Sequence, residues 1–255
     1  MRILVIPDCQ VKQGVPLEHL SWAGQAITDY RPDVVVNLGD FADMPSLSSY
    51  DIGKKSFEGR TYKADVQATR HAMETLMKPI RDEQLRLIKN KDRRWKPRLV
   101  LTLGNHEHRI DRAVEYDRKL EGLISVEDLK YADHGWEVHP FLEVVTIDGI
   151  AYSHYFTSGV MGRPVTSAQM LLTKKHMSCF AGHQQGRMIA YGRRADGKEM
   201  TAIIAGSCYE HSEDYLGPQG NEHWRGFYML HEVKDGAFDE MAVSLNYLRE
   251  RYGKQ

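Results

Sequence analysis

Three short, unbroken apolar runs, each closed by a polar residue of the same chemical kind, constrain this chain more than any other feature. Ile3 to Pro7 stops at Asp8, Val34 to Leu38 stops at Gly39-Asp40, and Leu99 to Leu103 stops at Gly104-Asn105. A short continuous apolar run bounded by polar residues reads as a buried strand. Between the first two runs, Leu17, Leu20, Ala23, Ile27 and Tyr30 fall at helical spacing, and Pro32 ends the pattern. Between the second and third, an interrupted helical face extends from about Lys63 to Lys91 and includes Leu76, Met77, Ile80 and Leu87. Pro79 is expected to kink or split that segment. Strands alternating with helices define an α/β fold.

The second half changes character. Val144–Ile147 and Ile150–Ser153 flank Asp148-Gly149, a strong two-residue hairpin signal, and Asp196-Gly197 and Asp235-Gly236 repeat the device. A helix over roughly Val165 to His176 leads into a short strand at Cys179–Ala181. The expected architecture is α/β: two stacked mixed β-sheets flanked by helices, in one domain spanning residues 1–255.

Composition narrows the function. The 34 basic and 35 acidic residues leave a formal charge of −1, which argues against gripping nucleic acid through a large cationic surface but permits a local basic groove. Three cysteines (Cys9, Cys179, Cys208) are too few and too scattered for a disulfide framework, so a reducing, cytoplasmic setting is expected. The apolar run before Asp8 is too brief for a signal peptide, and no stretch nears the roughly 18 apolar residues that cross a bilayer.

The chemistry lies in the positions of five polar groups. Asp8, Asp40, Asn105, His154 and His183 each sit just past an apolar run that reads as a strand. Ligands of open α/β sheets bind outside the carboxyl ends of the strands. A lone Asp there is commonly a cap or turn former, but five metal-type donors in succession would converge on one cleft.

Asp8-Cys9-Gln10, Gly39-Asp40, Gly104-Asn105-His106-Glu107, His154 and Gly182-His183-Gln184-Gln185 resemble the five ordered motifs of the calcineurin-like metallophosphoesterases, including those of bacteriophage genomes. The resemblance implies a four-layer αββα sandwich with a helical insertion at about 44–97. It also implies two divalent ions, with Mn²⁺ expected first and Mg²⁺, Zn²⁺ or Fe as other candidates. Asp40 would bridge the ions, and Asn105, His154 and His183 would complete one shell. Asp8 would hold the other ion, with Gln10 and Gln185 standing where the family has histidines. Those two departures predict a weaker site for a harder ion, Mn²⁺ or Mg²⁺, or else polar linings that bind no metal. His106 takes the place of the family's catalytic histidine, which stabilises the transition state or protonates the leaving oxygen.

Arg109 is a candidate for substrate phosphate, Trp224 for stacking on a base, and Arg225 for a second phosphate contact. The leading expectation is a phosphodiesterase acting on a nucleotide or nucleic acid. The alternatives are a phosphomonoesterase, including a protein phosphatase, and a binding protein that keeps the fold without turnover.

Overall fold

The computed structural model describes residues 1–253. The first half runs β1 (Ile3–Ile6), α1 (Glu18–Tyr30), β2 (Val34–Asn37), α2 (Tyr62–Lys89), β3 (Arg98–Thr102), α3 (Arg109–Tyr116) and β4 (Trp136–His139). A hairpin of β5 (Val145–Ile147) and β6 (Ile150–Ser153) follows, then the small pair β7 (Thr157–Ser158) and β8 (Arg163–Pro164). Next come α4 (Ala168–Lys175), β9 (Ser178–Ala181), β10 (Arg187–Arg193) and β11 (Glu199–Ala205). The short α5 (Gly217–Gly220), β12 (Gly226–Lys234), β13 (Ala237–Ser244) and α6 (Leu245–Tyr252) complete the chain.

The strands form two mixed sheets, in the orders β13-β12-β1-β2-β3-β4 and β10-β11-β9-β6-β5, so the expected α/β stack of two sheets is what the chain builds. The apolar runs are continuous because both faces of these strands are buried. Ile3, Val5, Val34, Val36 and Val100 point into a core shared with Ile150, Tyr152, Phe180 and Ile203 of the second sheet. Their neighbours Leu4, Ile6, Val35, Leu99 and Leu101 pack on the other face, against Leu20, Ile27, Leu76 and Leu248 of α1, α2 and α6. The outer face of the second sheet, with Ala151, Cys179 and Ile204, is covered by Leu171 and Leu172 of α4. Each strand thus alternates between two cores, giving helix, sheet, sheet, helix. No helix among the described residues is long and apolar enough to cross a membrane.

Pro79 does not split α2, which continues as one helix from Tyr62 to Lys89. Proline costs a helix one backbone hydrogen bond, but Met73, Leu76, Met77 and Ile80 on both sides of it are buried in the core that α1 shares. Gly24 of α1 permits the close approach: a Cβ there would collide with the Leu76 carbonyl and meet the Pro79 ring. In the hairpins β5–β6 and β12–β13, both residues of Asp148-Gly149 and of Asp235-Gly236 have positive φ, as a type I′ turn requires. The two turns interlock across the sheets, since Gly236 N–H donates to the Asp148 carbonyl at 2.8 Å.

Candidate metal centre

The carboxyl ends of β1, β2, β3, β6 and β9 bring Asp8, Asp40, Asn105, His154 and His183 together. Three turn residues there, Gln10 (φ 43), Asp40 (φ 47) and His183 (φ 66), occupy the left-handed region that costs a side-chain-bearing residue energy. Carboxylates pin two of these strained backbones, and the Asp40 carbonyl accepts the Gln10 N–H at 2.8 Å. Asp40 N–H donates to Glu107 Oε2 at 2.9 Å, and His183 N–H donates to both oxygens of Asp8 at 3.1 Å. Glycine is required beside them: a Cβ at Gly104 would collide with Asp40, and one at Gly182 with Asp8.

Glu107 received no role from the sequence, yet it organises the floor of the site. It is fully buried, and it also accepts the backbone N–H of Ala42 at 2.8 Å and of Gly104 at 2.9 Å. The Tyr131 hydroxyl donates to it at 3.3 Å. Burial and the nearby Asp40 charge raise its pKa, while the donors from Ala42 and Gly104 oppose that rise.

One group of donors converges. His154 Nε2 lies 2.9 Å from Asn105 Oδ1 and 3.3 Å from Asp40 Oδ2. His183 Nδ1 lies 2.8 Å from the same Asn105 oxygen. Ligand atoms of Asp40, His154 and His183 all lie within 4.8 Å of one another. The ring orientation of His154 is set from behind, where Nδ1 meets the Leu38 carbonyl at 2.9 Å. With the proton on Nδ1, the Nε2 lone pair faces two oxygen acceptors, an arrangement that needs a proton or a cation at its centre. The electrostatics agree. Burial pulls the His154 pKa down, but the charges of Asp40 and Asp8 outweigh it and leave it at about 9. Burial and the neighbouring His154 lower His183 to about 4, so its imidazole is neutral. Two imidazoles, one carboxylate and one amide oxygen therefore fit a divalent ion such as Zn²⁺, Fe²⁺ or Mn²⁺.

The other expected ligands sit differently. Asp8 is fully buried; burial is the largest influence on it and, partly countered by His154, raises its pKa to about 7. Gln185 directs Nε2 at Asp8 Oδ2 (3.2 Å), and its Oε1 accepts from the Tyr209 hydroxyl at 2.9 Å. The Gln10 amide pairs at both ends with the Tyr215 hydroxyl, at 3.2 and 3.3 Å.

His106 stands at the edge of the cluster, with Nε2 3.7 Å from Asp40 Oδ2. Its Nδ1 lies 2.8 Å from Asp43 Oδ1, an ion-pair distance outside hydrogen-bond geometry. Asp43 is in turn 3.1 Å from Lys12 Nζ, which also donates to Glu213 at 2.6 Å. Burial lowers the His106 pKa, yet Asp40 and Asp43 prevail and the net shift is upward.

A cleft of about 1480 Å³ opens over these groups. Its lining includes Asp40, Asn105, His106, Arg109 and His183, together with Ser48, Tyr50, Lys54 and Arg60 from one segment and Ser212, Tyr215 and Gln219 from another. Arg109 donates to the Asp43 carbonyl at 2.7 Å, so part of its guanidinium is committed to the fold. Trp224 and Arg225 do not line the cleft. The Arg187 guanidinium covers the Trp224 ring at 4.6 Å. Arg225 lies over Tyr209 and donates to the Asn221 carbonyl at 3.1 Å, holding together the loop that carries Tyr215.

The chain belongs to the calcineurin-like phosphoesterases: that family's sequence profile matches residues 1–170. The match includes Asp8, Asp40, Asn105, His106 and His154 and ends before His183. Among solved structures the chain is similar to Yfce, a phosphoesterase from E. coli, at 11% identity and a TM-score of 0.39. The alignment covers 96% of this chain and 100% of that one. None of the curated proteins compared matches it. The chain is accordingly a metal-dependent phosphoesterase.

Proposed function

We propose that this phosphoesterase is a phosphodiesterase acting on a nucleotide or nucleic acid in a cytoplasmic setting. The observation that carries the reading is the Asp40–Asn105–His154–His183 cluster, with His106 beside it, at the floor of a cleft of about 1480 Å³. That volume exceeds the roughly 300–1,000 Å³ of an ordinary small-molecule pocket. Its rims carry Tyr50 and Tyr215, 80% and 62% exposed, and a diester needs room for groups on both sides of phosphorus. One rim comes from the 44–97 segment, which we read as an insertion into a single domain. All three cysteines are free, in keeping with a reducing compartment.

Asp40, Asn105, His154 and His183 would hold a divalent ion, which when bound would lower the pKa of water and offer positive charge to the phosphoryl oxygens. The chain's own residues do the rest. Asp40 and the two imidazoles orient the reacting groups. Asp43 and Asp40 keep a proton on His106, which donates it to the departing alkoxide. Arg109 lies on the cleft floor, where it can meet the phosphoryl group.

The test is hydrolysis of bis-(p-nitrophenyl) phosphate beside p-nitrophenyl phosphate, by metal-stripped protein given Mn²⁺, Mg²⁺, Zn²⁺ or nothing. Metal-dependent turnover of the diester that is lost in Asp40→Asn supports the reading. Preference for the monoester would move it to a phosphomonoesterase. Turnover of neither compound, or of short oligonucleotides, would leave a binding protein.

A further inference from the structure

We propose that the centre takes one divalent ion per chain, and that hydrogen bonds among Asp8, Gln10, Gln185, Tyr209 and Tyr215 occupy the place of a second. The inference rests on the metallophosphoesterase reading and departs from the two ions that the resemblance implies.

A glutamine can offer a cation only its carbonyl oxygen. Gln185 spends that oxygen on the Tyr209 hydroxyl at 2.9 Å and turns its NH₂ toward Asp8 Oδ2 at 3.2 Å. The end that faces the carboxylate is therefore a donor. Turning the amide over would reverse the Tyr209 hydrogen bond, leave Asp8 Oδ2 without its amide donor and give the ion only a neutral, weakly donating ligand. Gln10 is engaged likewise, its amide paired with Tyr215. Asp8 already accepts the His183 N–H on both oxygens, and the Gly182 backbone lies so close to Oδ1 that a Cβ there would collide with it. Buried polar groups need partners, and here the protein provides them.

The neighbouring cluster is built the opposite way. His154 Nε2 and His183 Nδ1 lie 2.9 and 2.8 Å from the shared Asn105 Oδ1, and Asp40 Oδ2 stands 3.3 Å from His154 Nε2. With the His154 proton held on Nδ1, its Nε2 faces two oxygens there, and four side chains surround one position for an ion. A second ion would have to dismantle two tyrosine–amide pairs in exchange for one buried carboxylate, a shared Asp40 oxygen and two neutral amides.

The experiment counts ions rather than turnover. The protein is stripped of metal and dialysed against Mn²⁺, its metal content is measured by mass spectrometry, and its electron paramagnetic resonance spectrum is recorded. The expected result is one Mn²⁺ per chain with the six-line spectrum of an isolated ion. The double variant Gln10→His/Gln185→His, checked for folding by circular dichroism, is expected to take two ions and show an exchange-coupled spectrum. Two coupled ions in the wild-type protein would overturn the inference. So would a folded double variant that still takes one, because the amides would then not be what excludes the second ion. A chain that binds one ion yet hydrolyses neither ester would defeat the phosphodiesterase reading while supporting this one.

Discussion

Glu107 accepts the backbone N–H of Asp40 at 2.9 Å, so a buried carboxylate holds the left-handed turn that presents Asp40 to His154 and His183. The same side chain takes the Gly104 and Ala42 amides, tying the loop after β2 to the loop after β3. Replacing it by glutamine keeps the shape and puts an NH₂ group against at least one buried N–H. Stranding such groups costs on the order of 2–5 kcal/mol. Glu107→Gln is therefore expected to lower unfolding stability by that amount in urea titration, and to weaken Mn²⁺ binding about 10–100-fold, as loss of a ligand-orienting partner does. A variant with wild-type stability and affinity would show that Glu107 does not hold the site.

Metal binding should appear as stabilisation. An ion that binds only the native state at 100 times its Kd adds about 2.7 kcal/mol, which for a chain of this size corresponds to a rise in Tm of roughly 5–10 °C. Mn²⁺ should give this shift, EDTA should reverse it, and Asp40→Asn or His154→Ala should abolish it. An unchanged shift in both variants would place the ion elsewhere.

His106 touches no acceptor of the cluster closely, its Nε2 being 3.7 Å from Asp40, and so reads as a proton donor rather than a ligand. His106→Asn should lower kcat about 10²–10⁴-fold, the usual contribution of a general acid, while the Mn²⁺-induced rise in Tm stays. Asp43→Asn should reproduce part of that loss, because Asp43 is the carboxylate that keeps the His106 proton in place. Loss of metal binding in His106→Asn would make it a ligand instead.

The strand ends were readable in the sequence because β1, β2 and β3 are buried on both faces, which makes the apolar runs continuous and their polar stops conspicuous. The edge strand β4 escaped, since the half-exposed Trp136–His139 has no such run. So did α6, only eight residues long. Among site residues, His154 and His183 were legible from their position after strands. Tyr209 and Tyr215 were not: Tyr215 meets Gln10 across 205 positions, and no local pattern encodes such a pairing. Trp224 and Arg225 show the converse limit. Their residue types invite a functional reading, but direction is set by packing, and theirs turns them onto Arg187 and Tyr209.

His19 gives the fold an acid sensitivity independent of the metal site. It is buried in α1, with neither ring nitrogen in good hydrogen-bond geometry and only a weak backbone contact from Cys208 opposing the loss of its proton. Burial, and then the charge of His211, lower its pKa to about 3. An unfolded chain protonates this histidine below its ordinary value of about 6.5, whereas the folded chain resists protonation until about 3. Between those limits the unfolded state binds the extra proton, so the contribution of neutral His19 is complete above about pH 6.5 and declines as the pH falls, by up to about 1.4 kcal/mol per pH unit. Asp8, raised to about 7, acts in the opposite sense in the metal-free protein, so the readout must be a difference between variants. His19→Leu should lose less stability than the wild type between pH 6.5 and 4.5 in urea unfolding, the gap widening as the pH falls. Parallel losses in the two proteins would mean that His19 is hydrated or already protonated in the native state.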